Sequence, residues 1–178
     1  MKIGGSERIG HPAREAFLAL RDKTDELVEF MPNIEYMKVL EREETPPTVY
    51  LYNRWQGTND DIPKVMRPFV GRDIMGWFDH ARWNEETLSC EWQLEAVKEK
   101  DRELFECTGN TTLAPDGDGC VFTLAGDLII HPEKFPGIPK FLARKVQEPV
   151  ERFVVKLLSP NLTSIATAVR DYLDSRQA

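Results

Sequence analysis

The ionisable residues best suited to chemistry in this sequence are Asp79 and His80, which stand side by side in a run of alternating bulky and polar residues. A carboxyl group among apolar side chains has a raised pKa unless a cation or a hydrogen-bond donor accompanies it. Such a group can act as an acid or base, or anchor a ligand hydroxyl. Because successive strand residues point to opposite faces, one of the two faces a cavity in either register. We favour an inward set of Trp77, Asp79 and Trp83.

Simpler roles compete with these. Asp79 could lie at a rim, paired with Arg54 or Arg82. His11 and His131 both precede prolines at strand ends, where turn roles are expected rather than metal binding. The sequence has no G-x-S-x-G elbow, Walker loop, G-x-G-x-x-G fingerprint or H-E-x-x-H pair. We therefore assign no confident catalytic residue and expect no metal and no cofactor, with Asp79 and His80 as weak catalytic candidates.

Aromatic residues give a larger signal. The four tryptophans fall on three predicted strands that a meander would bring together. Pockets for small molecules are lined by aromatic and aliphatic side chains with few polar groups, although ordinary core filling would use the same residues. The predicted ligand-binding set comprises Leu51, Asn53, Trp55, Trp77, Asp79, Trp83, Cys90, Trp92, Thr111, Phe122, Phe141, Phe153 and Leu157.

Composition limits the class of protein. A chain of 178 residues that is 41% hydrophobic and 30% charged fits a single domain over residues 1–178. The formal charge is −7 and cations do not cluster, which argues against a nucleic acid or an anionic membrane as partner. No apolar run suggests a signal peptide or transmembrane segment, so we expect a cytoplasmic protein. Cys90, Cys107 and Cys120 show no C-x-x-C spacing and are expected to be buried, reduced thiols.

The element that must organise the fold is the stretch from Gly137 to about Ser175. Its apolar residues recur in steps of three, four and one, which is typical of one helix face. A straight helix of that size would be about 55 Å long, so a broad surface must lie against it. Pro149 and Pro160 interrupt the pattern, and either a kink or a split helix is consistent with them.

The preceding sequence predicts that surface. It reads as a strand, two short helices and about six antiparallel strands in a meander, with the clearest alternation from Leu88 to Ala96. Residues 58–73 are too rich in proline for a strand interior and are interpreted as an insertion or lid. Short connections make neighbouring strands antiparallel, and the apolar helix face must bury against one side of the curved sheet.

This order of elements contains the phrase Ile9-x-x-Pro12-x-x-x-Ala16-Phe17-x-x-Leu20, followed by Phe30-Met31-Pro32-Asn33-Ile34. Over essentially the full chain it resembles the START-like, or Bet v 1-like (SRPBCC), helix-grip superfamily. The resemblance implies an α+β fold in which a seven-stranded curved antiparallel sheet wraps the long C-terminal helix and leaves a cavity for a hydrophobic small molecule. Members include lipid and sterol carriers, polyketide cyclases and aromatases, and chaperone-associated modules, so the fold alone does not settle function.

We therefore expect binding or transport of a lipid-, sterol- or polyketide-like molecule, and lean away from an enzyme. Two alternatives stay open. A polyketide cyclase or aromatase would use the same cavity, with Asp79 or His80 transferring protons. A protein-interaction module would instead need a filled core and an exposed apolar patch. The oligomeric state is left open.

Overall fold

The computed structural model of the chain describes residues 1–58, 75–134 and 164–177. The predicted insertion at 58–73 falls almost wholly outside the described residues. So do most of the predicted long helix, with Pro149 and Pro160, and three predicted ligand-binding residues, namely Phe141, Phe153 and Leu157.

Seven strands form one antiparallel sheet in the order β1-β7-β6-β5-β4-β3-β2. Each strand from β2 to β6 therefore pairs with the next strand in the sequence. Strand β1 pairs with β7 and forms one end of the sheet. The strands are β1 Lys2–Ile9, β2 Ile34–Thr45, β3 Thr48–Gly57, β4 Gly76–Asn84, β5 Ser89–Ala96, β6 Phe105–Asp116 and β7 Gly119–Ile130.

In the described residues, three α-helices accompany the sheet: α1 Ala13–Asp22, α2 Thr24–Leu27 and α3 at residues 164–177. Short 3-10 turns follow α2 at Val28–Phe30, precede β6 at Glu99–Leu104 and follow β7 at Pro132–Lys134. None of the described helices is long and apolar enough to cross a membrane. The sequence of a strand, short helices, a six-strand meander and a terminal helix is the predicted one.

The element boundaries differ from prediction in two places. Leu88 was expected to belong to the strand that follows it, but it lies in the preceding turn with a φ of 47° and still packs against the core. The run Ala114-Pro115-Asp116-Gly117-Asp118-Gly119 is rich in turn-forming residues and predicts a hairpin loop, yet β6 and β7 remain paired as far as Asp116 and Gly119. Gly117, with a φ of 61°, makes the tight turn possible because glycine adopts positive φ without steric cost.

The core lies between the inner face of the sheet and the helices. Helix α1 buries Ala13, Ala16, Phe17 and Leu20, which share one face by their three- and four-residue spacing. Phe17 is fully buried, which stabilises the fold by about 1.5–3 kcal/mol. The last helix contributes a second set to the same core: Ala166, Ala168, Val169 and Tyr172.

Polar contacts fix α3 against the first elements of the chain. The buried His11 ring hydrogen-bonds Asp174 through Nε2 at 2.7 Å. The Tyr172 hydroxyl donates to Glu26 at 3.0 Å, and Arg176 donates to the same carboxylate at 2.9 Å. The carboxy-terminal helix is therefore held by both apolar packing and directional bonds.

Candidate functional site

The pairing of β3 with β4 decides which side chains share a face. Asn53 lies opposite Asp79 and Trp55 lies opposite Trp77. Residues that face each other across an antiparallel pair project to the same side of the sheet. Asn53, Asp79 and both tryptophans therefore lie on the inner face with the core.

Arg54 and Arg82 occupy the outward positions of the same two strands. The alternative of a rim salt bridge between Asp79 and either arginine is therefore wrong. Asp79 instead accepts a hydrogen bond at Oδ2 from the Asn53 amide at 3.1 Å. Asp79 keeps part of its surface exposed, but its Oδ1 atom is out of contact with solvent.

Burial raises the pKa of Asp79 to about 6, while the hydrogen bond from Asn53 and the nearby Trp55 N–H act in the opposite direction. The Trp55 N–H lies near enough to lower this pKa but completes no hydrogen bond with the carboxylate. Desolvation has the larger effect because it disfavours the charged form more than these two neutral donors stabilise it. Asp79 is therefore a carboxyl group that changes charge close to neutral pH.

Four buried polar atoms on this face have no hydrogen-bond partner among the described residues. Two are acceptors, Oδ1 of Asn53 and Oδ1 of Asp79, and two are donors, the indole N–H groups of Trp55 and Trp83. Asn53 is 4% exposed and Trp83 is 8% exposed. Asn53, Trp55 and Asp79 occupy neighbouring positions in the register, whereas Trp83 lies four residues beyond Asp79 on β4. Buried polar groups in folded proteins are nearly always paired, so the unpaired atoms of these three neighbours mark a place where another molecule is expected.

Aromatic rings surround these polar atoms. Trp55 and Trp77 stack with ring centroids 6.0 Å apart and planes 7° from parallel. Trp83 meets Phe17 of α1 edge to face at 5.4 Å. These rings present a flat apolar surface beside a small polar cluster, which is the composition of a small-molecule site.

The next strands extend this surface. Trp92 donates its indole N–H to the buried Thr111 at 3.2 Å. Its ring lies over Gly109 and Gly126, where any side chain would collide with it. Cys90 lies opposite Trp83, and burial is the main cause of a raised pKa for its thiol, with the Asp79 charge adding to it. Cys90 is therefore a neutral thiol in the wall.

Four predicted site residues belong to the continuous core, which also contains Phe17 and Leu27: Leu51, Trp83, Cys90 and Phe122. The register brings Asn53, Trp55, Trp77 and Asp79 together on β3 and β4. Trp83, Cys90, Trp92 and Thr111 lie on the same face of β4, β5 and β6. In the described part of the chain, no group of three His, Cys, Asp or Glu side chains is placed to hold a metal ion.

His80 points to the opposite, outer face, where sequence reasoning identified no site. It belongs to a continuous stack of aromatic rings and guanidinium groups on β2, β3 and β4, which we call the outer-face ladder. Its members in order are Tyr36, Arg54, Phe78, Tyr52, His80, Tyr50 and Arg82. The signal in the sequence is the period of two in Tyr50-x-Tyr52-x-Arg54 and in Phe78-x-His80-x-Arg82.

Hydrogen bonds lock His80 within the ladder. Its Nδ1 shares a bond of 2.8 Å with the Tyr50 hydroxyl, and its Nε2 shares one of 3.1 Å with Glu95. Glu95 is also paired with Arg102. Both ring nitrogens are occupied, so His80 is built into a polar network rather than free to attack a substrate.

No protein-family model matches this chain, and no curated protein matches it. The aromatase/cyclase ZhuI from Streptomyces sp. R1128 is structurally similar, with a TM-score of 0.65 and 14% identity over 100% of this chain and 96% of that one. A STAR-related lipid transfer protein from Xanthomonas axonopodis is also similar, with a TM-score of 0.56 and 19% identity over 96% of this chain and 84% of that one. Norcoclaurine synthase from Thalictrum flavum has a TM-score of 0.61 and 11% identity over 100% of this chain and 88% of that one. The chain therefore has a helix-grip fold, which it shares with these structures.

Proposed function

We propose that the inner face of β3, β4 and β5 binds a largely hydrophobic small molecule that carries a hydroxyl or carbonyl group. The observation that carries this proposal is the set of three unpaired buried polar atoms, on Asn53, Trp55 and Asp79, beside the Trp55–Trp77 stack. The occurrence of the same fold in a lipid transfer protein and in an aromatase/cyclase supports it.

The energetics favour a ligand with one polar group. Apolar burial contributes about 25 cal/mol per Å², and the tryptophan rings offer a large apolar area. An unpaired buried polar atom costs about 1–3 kcal/mol, so a ligand oxygen that pairs several of them recovers that cost. The indole donor of Trp55 suits a carbonyl or hydroxyl oxygen, and the Asn53 and Asp79 acceptors suit a hydroxyl hydrogen.

The first experiment identifies the ligand. Native mass spectrometry of the protein purified from its own host, followed by solvent extraction, is expected to show one discrete hydrophobic molecule at near-unit stoichiometry. The second experiment locates it. All four tryptophans of the chain occupy inward strand positions, so their fluorescence reports on the inner face.

In the second experiment, 1-anilinonaphthalene-8-sulfonate is added while energy transfer from tryptophan is followed, and the extracted molecule is used to displace it. Asn53→Leu is expected to lower the affinity for the extracted molecule about tenfold, equivalent to about 1.4 kcal/mol of binding free energy. Tyr52→Phe, a conservative change on the outer face, is the matched control and is expected to have no effect. Equal affinities in the wild type and Asn53→Leu would contradict the proposed site.

The pKa of Asp79 favours a second candidate, a cyclase-type enzyme on the same face. A carboxyl group with a pKa of about 6 can both accept and donate a proton near neutral pH. Turnover of a linear poly-β-ketone thioester would then rise as pH increases through 6. Asp79→Asn would abolish turnover and keep ligand affinity within about twofold, a change of about 0.4 kcal/mol. Unchanged turnover in Asp79→Asn would contradict the proposed enzymatic role of Asp79 and would favour the ligand-binding function.

A further inference from the structure

The outer face of the sheet carries a groove that is separate from the inner site. It has a volume of about 650 Å³, within the range of small-molecule sites. Tyr50, His80 and Arg82 form one wall, and Lys2 and Asp127 lie at the other. A second groove of about 590 Å³ shares the first wall on its other side.

Arg82 is an unusual arginine in this chain. Every other arginine in the described residues makes a hydrogen bond or an ion pair with a side chain: Arg8, Arg14, Arg21, Arg42, Arg54, Arg102, Arg170 and Arg176. Arg82 lies directly opposite Glu91 in the register, yet the described residues contain no ion pair between them. Its guanidinium stacks on Tyr50 instead, with Cζ 6.0 Å from the ring centroid.

This contact places the guanidinium beside the Tyr50 ring, and its N–H groups have no hydrogen-bond partner among the described residues. A guanidinium edge with two parallel donors matches a carboxylate, which it can bind through two hydrogen bonds. Tyr50 is itself fixed, because its hydroxyl is bonded to His80 and His80 is bonded to Glu95. Burial is the main cause of a raised pKa for Tyr50, so the hydroxyl stays protonated and the wall keeps its hydrogen-bonding groups.

The remaining charges of the larger groove leave one free carboxylate. Lys2 and Asp127 neutralise each other at 2.7 Å. Glu91 is exposed, lines the groove, and makes no side-chain ion pair within the described part of the chain. The groove therefore presents one unpaired cation and one unpaired anion on adjacent strands, where opposite residues are about 5 Å apart.

We propose that this groove is a second ligand site, independent of the inner face. Its ligand is a small zwitterion whose carboxylate and ammonium groups are attached to the same carbon atom, as in an α-amino acid. The carboxylate binds Arg82 and the ammonium group donates to Glu91. The lining between the walls includes the polar Gln93, Thr108 and Asn110 together with the small residues Gly109, Ala125 and Gly126.

Charge balance favours a zwitterion over ligands that carry only a carboxylate or only an ammonium group. A ligand with only a carboxylate would bind Arg82 but approach Glu91 with like charge, and a ligand with only an ammonium group would meet the reverse conflict. A zwitterion satisfies both residues. Because both are exposed, the affinity is expected to be modest and to fall as salt is added.

Three matched probes test the proposal on the full-length protein by two-dimensional amide NMR. L-Phenylalanine carries both charges, 3-phenylpropionate lacks the ammonium group and phenethylamine lacks the carboxylate. We expect phenylalanine to shift the amides of Arg82, Glu91 and Thr108, and each truncated probe to bind at least tenfold more weakly, equivalent to about 1.4 kcal/mol. Equal binding of the three probes, or no shift of these amides up to the solubility limit of phenylalanine, would overturn it.

Variants separate the two faces. Arg82→Gln and Glu91→Gln replace exposed side chains. Each is expected to lower the affinity for phenylalanine at least tenfold, equivalent to about 1.4 kcal/mol of binding free energy. Asn53→Leu on the inner face is the matched control and is expected to leave phenylalanine affinity unchanged. If Arg82→Gln has no effect while Asn53→Leu weakens the probe, phenylalanine occupies the inner face and the second site is wrong.

Discussion

The Asp79 carboxyl group makes the stability of the protein depend on pH in an unusual direction. Its pKa is about 6 in the fold, against an ordinary value of 3.8. Between these two values the folded state binds the proton more tightly than the unfolded chain does, so the free energy of unfolding falls as pH rises. The difference of about two pKa units corresponds to about 3 kcal/mol at most.

Asp79→Asn is therefore expected to stabilise the protein at pH 7 and above, by up to about 3 kcal/mol, since the neutral amide needs no desolvation of a charge. At pH 4 the two proteins should be equally stable within about 0.5 kcal/mol. Urea unfolding at a series of pH values measures this, with the exposed Asp25→Asn as control. A constant difference between variant and wild type across this pH range would show that Asp79 does not titrate as described.

Glycine at position 109 is dictated by the Trp92 ring. A Cβ atom there would collide with that ring and with the Ala125 carbonyl oxygen at 2.5 Å. Gly109→Ala is expected to lower the free energy of unfolding by about 1–3 kcal/mol, because overpacking forces neighbouring atoms to move. Gly5→Ala, where no atom lies within 4 Å, serves as the control in the same urea titration. A similar loss of unfolding free energy in both variants would mean that contact with the Trp92 ring does not cause the destabilisation.

At the scale of the elements, sequence periodicity predicted the existence of the strands and the facing of their residues better than their register. The alternation in β5 identifies Cys90 and Trp92 as inward residues without a structure. The pairing of Asn53 with Asp79 could not be predicted in the same way. A short hairpin fixes register through its turn, but the connection between β3 and β4 runs from Thr58 to Met75 and imposes none.

The same limit explains why the outer-face ladder was missed. The period of two in β3 and β4 shows that Tyr50 and His80 each alternate with inward residues, but only the register places Tyr50, His80 and Tyr52 in one stack. His80 was consequently weighed as an inner-face acid or base, and the structure places it outside.

Helix α3 offers a test of how the carboxy-terminal element is held. Val169 is fully buried, and truncating it to alanine removes two methyl groups from the core. Val169→Ala is expected to cost about 2 kcal/mol in the free energy of unfolding. Thr167→Ala on the exposed side of the same helix should change it by less than about 0.5 kcal/mol, as measured by thermal or urea unfolding. A small loss for Val169→Ala would show that α3 contributes little to the core.

At the scale of the whole molecule, the three thiols report on the integrity of the sheet. Cys90, Cys107 and Cys120 lie on β5, β6 and β7, and all three are buried and free, as predicted from their spacing. Burial raises the pKa of Cys107 to about 11 and also raises that of the other two, so the reactive thiolate is scarce.

We therefore expect the native protein to react with 5,5′-dithiobis(2-nitrobenzoic acid) only as fast as it unfolds, and all three thiols to react at once in denaturant. Absorbance of the released thiolate measures both rates. Fast reaction of one thiol under native conditions would indicate local opening of its strand, and single Cys→Ser variants would identify which one.

The open edges of the sheet have a consequence for behaviour in concentrated solution. Strand β2 lies at one edge of the sheet and has no partner strand on its outer side among the described residues. The charged stretch from Glu41 to Glu44, together with a bulge, discourages another molecule from pairing there. That protection depends on ionised carboxylates, which are lost in acid as the net charge approaches zero near the pI of about 5.1. The acid conditions in which Asp79 favours the folded state are thus also those in which folded molecules repel each other least, so the conformational stability gained from this one group comes with a loss of colloidal stability.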